Sequence, residues 1–520
     1  MISKFAIKRF LERKLNSFNW MKGLSRKEIL SMVADLNPVP RFISQKPLWD
    51  HQLVAFLIGV YAPQFMFLLD MGLGKTRVVL ELVAYQKLCG KLKAALVVVP
   101  NATAIENWSM EIAEHRPDLT YVPMYGSSKE RRVMLKRTAD LFIINYDGLV
   151  ALCTSLQPHP SKQGKKKRQI DHEALAFVAS IFNVITLDES SEIMSRASIT
   201  YRVCERLSQR IEHRYSLTGT PFGRDPQALW SQFYFTDHGA TLGPTLGVFR
   251  EAFFNKKDNY FSGGYDYVFD TKKRDLLNRV IQHRSIFYEE CEAKDMPPKV
   301  FKPIYVPFTS DMGAYYKRVV EQLIAAKGNY RMVENSYLHM RQIASGFIGL
   351  IDDETGERAQ IEFSENPKMD ALIEAIKELP QNRKFLVFHE YVWTGNRISA
   401  ELKKIGIKHE RLHGGQKDGP GALRRFREDD SIVALVVNNR SGAFSLNLQV
   451  ANYEFFVESP VSPIVRAQAE KRIHRGDQQH RCFYIDFIMK GNSADENIQV
   501  YLKEGKDLFE ALMKGRVTLH

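Results

Sequence analysis

Cysteine is scarce and poorly placed for metal or disulfide chemistry. Cys89, Cys153, Cys204, Cys291 and Cys482 are scattered through 520 residues, and no two form a Cys-x-x-Cys pair. This excludes a zinc ribbon or a disulfide framework and makes a reducing, cytoplasmic setting the expectation. Long apolar runs are missing too. The one uncharged stretch, Leu53 to Leu69, is only about long enough to cross a bilayer and is broken at Pro63-Gln64. It predicts a buried helix, a turn and a buried strand. Met1 to Lys14 is basic, but Glu12 and the lack of an apolar core argue against a secretory signal, so a surface helix is expected there. Repeats of solenoid period are absent, and no nuclease motif is present. Acid is in short supply: 60 Asp and Glu stand against 73 Lys and Arg, a formal net charge of +13. Such an excess favours a polyanionic partner, because a basic surface releases counterions when it neutralises phosphates.

What the chain does have is alternation. Aliphatic runs at Phe65–Leu69, Ala94–Val99, Leu141–Asn145, Val184–Leu187 and Tyr215–Leu217 end in polar, Gly or Pro residues, and most lead into helix-period sequence. The pattern predicts α/β structure: a parallel sheet with helices on both faces, binding ligands beyond the carboxyl ends of its strands. Phe385–Phe388, Val433–Val437, Tyr453–Val457 and Cys482–Phe487 predict a second such sheet. The chain therefore divides into an N-terminal helical segment (1–45), a first α/β domain (46–236), a mainly helical insertion and connection (237–367), a second α/β domain (368–490) and a C-terminal helix (491–520). The basic segment Pro158 to Arg168 is expected as a solvated loop, with contact to DNA as its functional alternative.

Asp70-Met71-Gly72-Leu73-Gly74-Lys75-Thr76 follows a predicted buried strand and opens a helix, the context a phosphate-binding loop requires. Gly72 and Gly74 let backbone N–H groups, that of Leu73 among them, turn inward around an anion. The helix N-terminus adds its own field. Lys75 is expected to reach the β and γ phosphates of ATP, and the Thr76 hydroxyl to hold Mg²⁺. Leu69 stands where the fuller pattern has its first Gly. Downstream, Val184–Leu187 runs straight into Asp188-Glu189. A strand delivering two carboxylates at its carboxyl end suits a metal-orienting acid, Asp188, beside a water-polarising one, Glu189. Phosphoryl transfer needs little beyond such positioning and charge neutralisation.

In this order along Leu48 to Gln478, the residues resemble the superfamily-two helicase motors, specifically the Swi/Snf-type DNA translocases. Leu48-x-x-x-Gln52 is similar to the family's adenine-reading motif, with Gln52 as the reader, and Asp70–Thr76 (DMGLGKT) to its signature loop. Leu96–Trp108 (LVVVPNATAIENW) resembles a motif that in the family lies along the DNA backbone, and Leu141–Leu149 (LFIINYDGL) the strand-and-turn that follows it; the resemblance implies nucleic-acid contacts for Asn107 and Tyr146. Leu217–Pro221 (LTGTP), with Leu229-Trp230 beyond it, resembles the segment whose Thr218 and Thr220 couple hydrolysis to domain motion. Met296–Lys299 with Tyr305–Pro307, then Asn366–Met369, resemble the link between lobes and the opening of the second. Arg411–Gly415 (RLHGG) implies that His413 and Gly414 touch phosphates. Asn439-Arg440-Ser441-Gly442 with Leu446–Leu448 resembles the motif shared between ATP, at Gly442, and DNA, at Asn439 and Arg440. Gln468 to Gln478 (QAEKRIHRGDQ) resembles the arginine-finger motif, with Gln468 at the nucleotide. Arg472 and Arg475, three apart on a presumed helix, share one face and are expected to reach the γ-phosphate, where a guanidinium supplies several donors.

The resemblance implies two RecA-like domains, ATP and Mg²⁺ as cofactors, and double-stranded DNA gripped by its backbone with little sequence specificity. Ser190-Ser191 depart from the family's usual Ala-His, Ser445 from a usual Gly, and Val461 from a frequent Trp. The first departure leaves hydrolysis expected but the link from the metal site to the second domain open. No bromodomain, chromodomain or zinc module is evident, so a compact, divergent bacterial or viral motor is the expectation. A strand-separating or branch-migrating helicase shares every ATP residue and stays an alternative, to be told apart by a wedge hairpin. An ATP-gated DNA-binding module with weak hydrolysis is the alternative from another class, resting on Ser190-Ser191.

Overall fold

The aliphatic runs form strands because each is flanked by chain breakers and can be buried on both faces, which a parallel sheet under two helical layers provides. In the computed structural model the described residues are 17–70, 72–158, 166–222, 225–259, 264–289, 297–325, 330–351, 358–380, 383–413, 418–439, 448–474 and 478–509. They form two units. Described residues through Asn255, and those from Tyr267 to Glu289, make the first; Lys256–Asp266 and later residues through Leu508 make the second.

The first unit carries β1 (Gln64–Leu69), β2 (Ala95–Val99), β3 (Tyr121–Pro123), β4 (Leu141–Asn145), the antiparallel hairpin β5 (Thr154–Pro158) and β6 (Lys166–Ile170), β7 (Val184–Asp188) and β8 (His213–Leu217). Strands β9 (Phe254–Asn259) and β10 (Gly264–Phe269), which pair with each other, straddle the boundaries at Asn255 and Tyr267, and β11 (Ser285–Tyr288) completes the first unit's set. Its main sheet runs β11-β1-β8-β7-β2-β4-β3, parallel throughout. The strand order brings β1, β8 and β7 side by side, so three sequence-distant loops emerge together at one end. Helix Asp50–Tyr61, then the turn at Pro63-Gln64 and β1, realise the predicted helix, turn and strand. That helix packs closely against helix Lys75–Leu88: a Cβ on Gly59 would stand 2.5 Å from Leu82 Cδ1.

The second unit holds β12 (Lys299–Pro307), the antiparallel hairpin β13 (Phe347–Ile351) and β14 (Arg358–Glu362), β15 (Lys384–His389), β16 (His409–Leu412), β17 (Ala434–Asn438), β18 (Ala451–Phe456) and β19 (Cys482–Lys490). Its sheet runs β12-β19-β18-β15-β17-β16, again parallel. The α/β class with two parallel sheets is as expected. The stretch 237–367 is not a helical insertion throughout: β11 forms one edge of the first sheet and β12 one edge of the second. These edge strands escape a hydrophobicity reading because β11 has four residues and β12 leaves many side chains half-buried or exposed. The basic segment Pro158 to Arg168 begins and ends in the β5–β6 hairpin, and its centre, like Met1 to Lys14, lies outside the described residues. Helix Ala494–Phe509 follows β19. Among the described residues no helix is long and apolar enough to cross a membrane.

Candidate functional site

The loop between β1 and helix Lys75–Leu88 turns on glycine. Gly72 (φ 87°) and Gly74 (φ 71°) occupy the left-handed region that Cβ-bearing residues avoid. At Gly74 a Cβ would also stand 2.3 Å from Gln52 Nε2. Buried Gln52 accepts from Trp49 N at 3.0 Å through Oε1 and donates to Leu73 O at 3.2 Å through Nε2. His51 Nε2 meets the same carbonyl at 2.9 Å. Lys75 Nζ donates back to Leu69 O at 2.9 Å and Asp70 O at 3.3 Å, which brings its ammonium to the carboxyl end of β1. Thr76 is half-buried in the first turn of the helix.

Asp188 closes β7, and Thr218 follows β8, which lies between β1 and β7. Trp108 Nε1 donates to Asp188 Oδ2 at 2.8 Å. Burial pushes the Asp188 carboxyl up, opposed by that N–H and by the positive charge of Lys75. Glu189 adopts φ 57°, ψ 64°, a left-handed conformation that a Cβ-bearing residue holds at some cost and that is often found at functional sites. Its Oε1 accepts from Ser191 Oγ at 2.6 Å and from Thr218 Oγ1 at 2.7 Å. Thr218 Oγ1 accepts from Thr220 N at 3.0 Å. The buried Thr220 Oγ1 has no hydrogen-bond partner among the described residues. Lys75, Asp188, Glu189, Thr218 and Thr220 are therefore brought to one end of the sheet. Trp108 and Tyr146 belong to the same assembly in roles the sequence did not reveal. Tyr146, expected at nucleic acid, is instead buried and donates to Asp188 O at 3.1 Å and Glu189 O at 3.4 Å. Its ring sits under the acid pair because β4 ends beyond β2 from β7, and an apolar ring with one polar tip fills that space. Asn107 is half-buried on helix Ala102–His115.

In the second unit, Asn439 and Arg472 sit otherwise than expected. Asn439 is buried, with Nδ2 donating to Glu390 Oε2 at 2.9 Å and Glu458 O at 3.0 Å. Glu458 in turn accepts from Thr394 Oγ1 at 2.6 Å and Glu390 N at 2.7 Å. Asn439 thus ties together the ends of β15, β17 and β18 rather than presenting itself to a nucleic acid. Arg472 is fully buried, and its positive charge acts on the buried carboxyl of Glu454. The presumed helix closes at Glu470, so Arg472 lies in a turn. Gln468 is buried at the end of that helix. His413 is exposed just after β16. Gly414, Arg440, Gly442 and Arg475 lie outside the described residues. Gln478, where the motif ends, donates to Gln449 O, Ala451 O and Ile473 O, each at 3.0 Å, and so fastens the chain beneath it.

The first unit's donor set suits a phosphate chain with a hard cation. The glycine cradle has no room for a Cβ at Gly74, and an ammonium lies beside two carbonyl oxygens. Among the described residues no group of three or more His, Cys, Asp or Glu is suited to hold a metal alone. One carboxylate, Asp188, and one hydroxyl, Thr76, match an ion that keeps phosphate oxygens and waters as its other ligands.

Comparison with known proteins gives consistent matches. The SNF2-related domain model matches residues 17–353, and the helicase conserved C-terminal domain model matches 367–477. YwqA of Bacillus subtilis (strain 168) is 23% identical over 459 residues, covering 86% of this chain and 46% of its own length. Protein CHROMATIN REMODELING 19 of Arabidopsis thaliana is 21% identical over 532 residues, covering 86% and 66%. ATP-dependent helicase FUN30 of Saccharomyces cerevisiae is 23% identical over 569 residues, covering 90% and 47%. The chain thus spans about half to two-thirds of the length of these relatives. Among solved structures, the Sulfolobus solfataricus SWI2/SNF2 ATPase core in complex with dsDNA aligns with a TM-score of 0.40 at 20% identity, covering 91% of this chain and 94% of that one. With one family model spanning residues 17–353 of 520, this chain belongs to the SNF2-related family.

Proposed function

We propose that this chain hydrolyses ATP and couples the hydrolysis to movement along double-stranded DNA. The observation that carries the reading is the convergence of Lys75, Asp188, Glu189 and Thr218 at the carboxyl ends of three neighbouring strands, β1, β7 and β8. Backbone N–H groups of the Gly72–Gly74 turn and the Lys75 ammonium bind the phosphates. Mg²⁺, held by the Thr76 hydroxyl and the Asp188 carboxylate, would neutralise charge on the β and γ phosphates. Glu189 orients a water, whose oxygen bonds to the γ-phosphorus as the bond from that phosphorus to the ADP oxygen breaks. The water's proton passes to the Glu189 carboxylate and leaves with phosphate or solvent. Arg475 is the remaining candidate for the arginine that meets transition-state charge. Gripping by the phosphate backbone gives little sequence specificity.

The test is ATP turnover without nucleic acid, then with duplex DNA, single-stranded DNA and RNA, beside Lys75→Ala. The expected result is strong stimulation by duplex DNA that the substitution abolishes. Equal turnover under all four conditions would overturn the coupling to DNA, and turnover surviving in Lys75→Ala would overturn the site. One observation favours a second reading, strand separation: the paired strands β9 and β10 present exposed Tyr265 with Lys256 Nζ 3.3 Å from its ring centroid. Release of a labelled strand from a forked duplex, lost in Tyr265→Ala, would support it.

A further inference from the structure

The Ser190-Ser191 pair has a use within the first unit, and this inference rests on the ATPase reading above. Ser190 and Gln232 are both fully buried. Ser190 Oγ donates to Gln232 Oε1 at 2.9 Å, while Gln232 Nε2 donates to Pro221 O and to Ala228 O, the latter at 2.9 Å. Ser191 Oγ shares Glu189 Oε1 with Thr218 Oγ1. Ser231, next to Gln232, donates to Met194 O at 2.7 Å and fastens the same helix, Ala228–Asp237, to the turn after the acid pair. The segment Thr218–Pro221 is therefore held at both ends: Thr218 reaches the Glu189 carboxylate directly, and Pro221 reaches the residue after Glu189 through Gln232. A buried amide with both donor hydrogens and its oxygen engaged is costly to disturb piecemeal, so the two segments shift as one.

We propose that Ser190, Ser191 and Gln232 are positioning residues that lock Glu189 to the Thr218–Pro221 segment, so that any displacement of that segment moves the water-orienting carboxylate. The lock is made of hydroxyl and amide groups, and the Ser190-Ser191 pair supplies two of its hydroxyls.

The test uses the full chain with Ser190→Ala, Ser191→Ala, Ser191→Thr, Gln232→Met and the Ser190→Ala/Gln232→Met double variant. Three quantities are read: affinity for a fluorescent ADP analogue, duplex-stimulated kcat, and amide hydrogen exchange at Gly219, Thr220 and Phe222 in nucleotide-free protein. The expected result is analogue affinity within about twofold of the parent and kcat lower by about tenfold, the scale of one lost buried hydrogen bond. Exchange at those three amides is faster in Ser190→Ala and Gln232→Met. The double variant is no worse than the poorer single, as members of one chain of contacts must be, and Ser191→Thr restores most of the loss in Ser191→Ala. Parental kcat and exchange in Ser190→Ala and Gln232→Met, beside an inactive Lys75→Ala, would overturn the lock while leaving the ATPase reading intact. A loss of analogue affinity matching the loss of kcat would also overturn it, since that is general damage to the fold. A parent without turnover on any nucleic acid would overturn the ATPase reading and the lock with it.

Discussion

Gly74 meets two independent constraints at one atom. Its backbone lies at φ 71°, where an added Cβ costs roughly 1–2 kcal/mol, and that Cβ would run into Gln52 Nε2 at 2.3 Å. Gly74→Ala is therefore expected to weaken nucleotide binding by tenfold or more and to lower the melting temperature, both readable by titration with a fluorescent nucleotide and by calorimetry. An unchanged affinity would mean that the loop can re-form with a Cβ present. The same residue scale shows what a sequence can disclose. Lys75, Asp188 and Glu189 were legible because their chemistry is written in local spacing. Trp108, Tyr146 and Gln232 were not, because their partners lie 80, 42 and 42 residues away, and only the strand order joins them. Arg472 differs from the presumed helical placement for a local reason: that helix ends at Glu470.

At the scale of the element, helix Lys75–Leu88 is anchored by a buried ion network. Glu81 Oε1 accepts from Arg77 Nε at 2.7 Å and its Oε2 from Arg116 Nη1 at 2.8 Å, with the Glu81 side chain fully buried. Removing the central carboxylate leaves two guanidinium groups buried without it, so Glu81→Ala is expected to cost about 3–5 kcal/mol. Chemical denaturation would measure this, and a loss under about 1 kcal/mol would show that solvent reaches the network. Strand β18 offers the opposite case. Glu454 is fully buried, neither carboxyl oxygen has a hydrogen-bond partner among the described residues, and burial first, then Glu470, push its carboxyl well up. A folded pKa above the unfolded one means that the native state holds the proton more tightly. Stability is then full below the ordinary glutamate range and declines as pH rises through the folded value. Glu454→Gln removes this decline, so the variant gains on the parent by about 2 °C or more at pH 8 and by little at pH 5. Equal shifts at both pH values would refute the assignment. Central strands such as β2 and β15 were readable as unbroken apolar runs, whereas the edges β3, β11 and β12 were not, being short or half exposed.

For the whole molecule, the charge of +13 makes a prediction about DNA that no single residue does. Backbone contacts release condensed counterions, each neutralised phosphate adding about −0.9 to the slope of log affinity against log salt. Six such contacts would reduce affinity by roughly 10³ between 50 and 200 mM salt. Titrating a labelled duplex across that range tests this, and a flat response would remove the backbone-gripping model. Two parallel sheets, each with its own core, were foreseeable from two separate series of apolar runs. The hairpin β5–β6 and the paired strands β9–β10 were not, since their polar or exposed residues carry no clear signal against the surrounding loops.

The Lys75 ammonium has oxygen neighbours within its own loop: the carbonyls of Leu69 and Asp70. A phosphate that recruits this lysine therefore enters an exchange, in which old bonds are surrendered as new ones form, and the net gain from the lysine alone is small. A lone inorganic anion offers little beyond that swap and is held weakly. A nucleotide that also engages the loop amides adds contacts with no such competitor. If the loop binds nucleotide as proposed, discrimination against stray phosphate follows from the contacts of this one side chain.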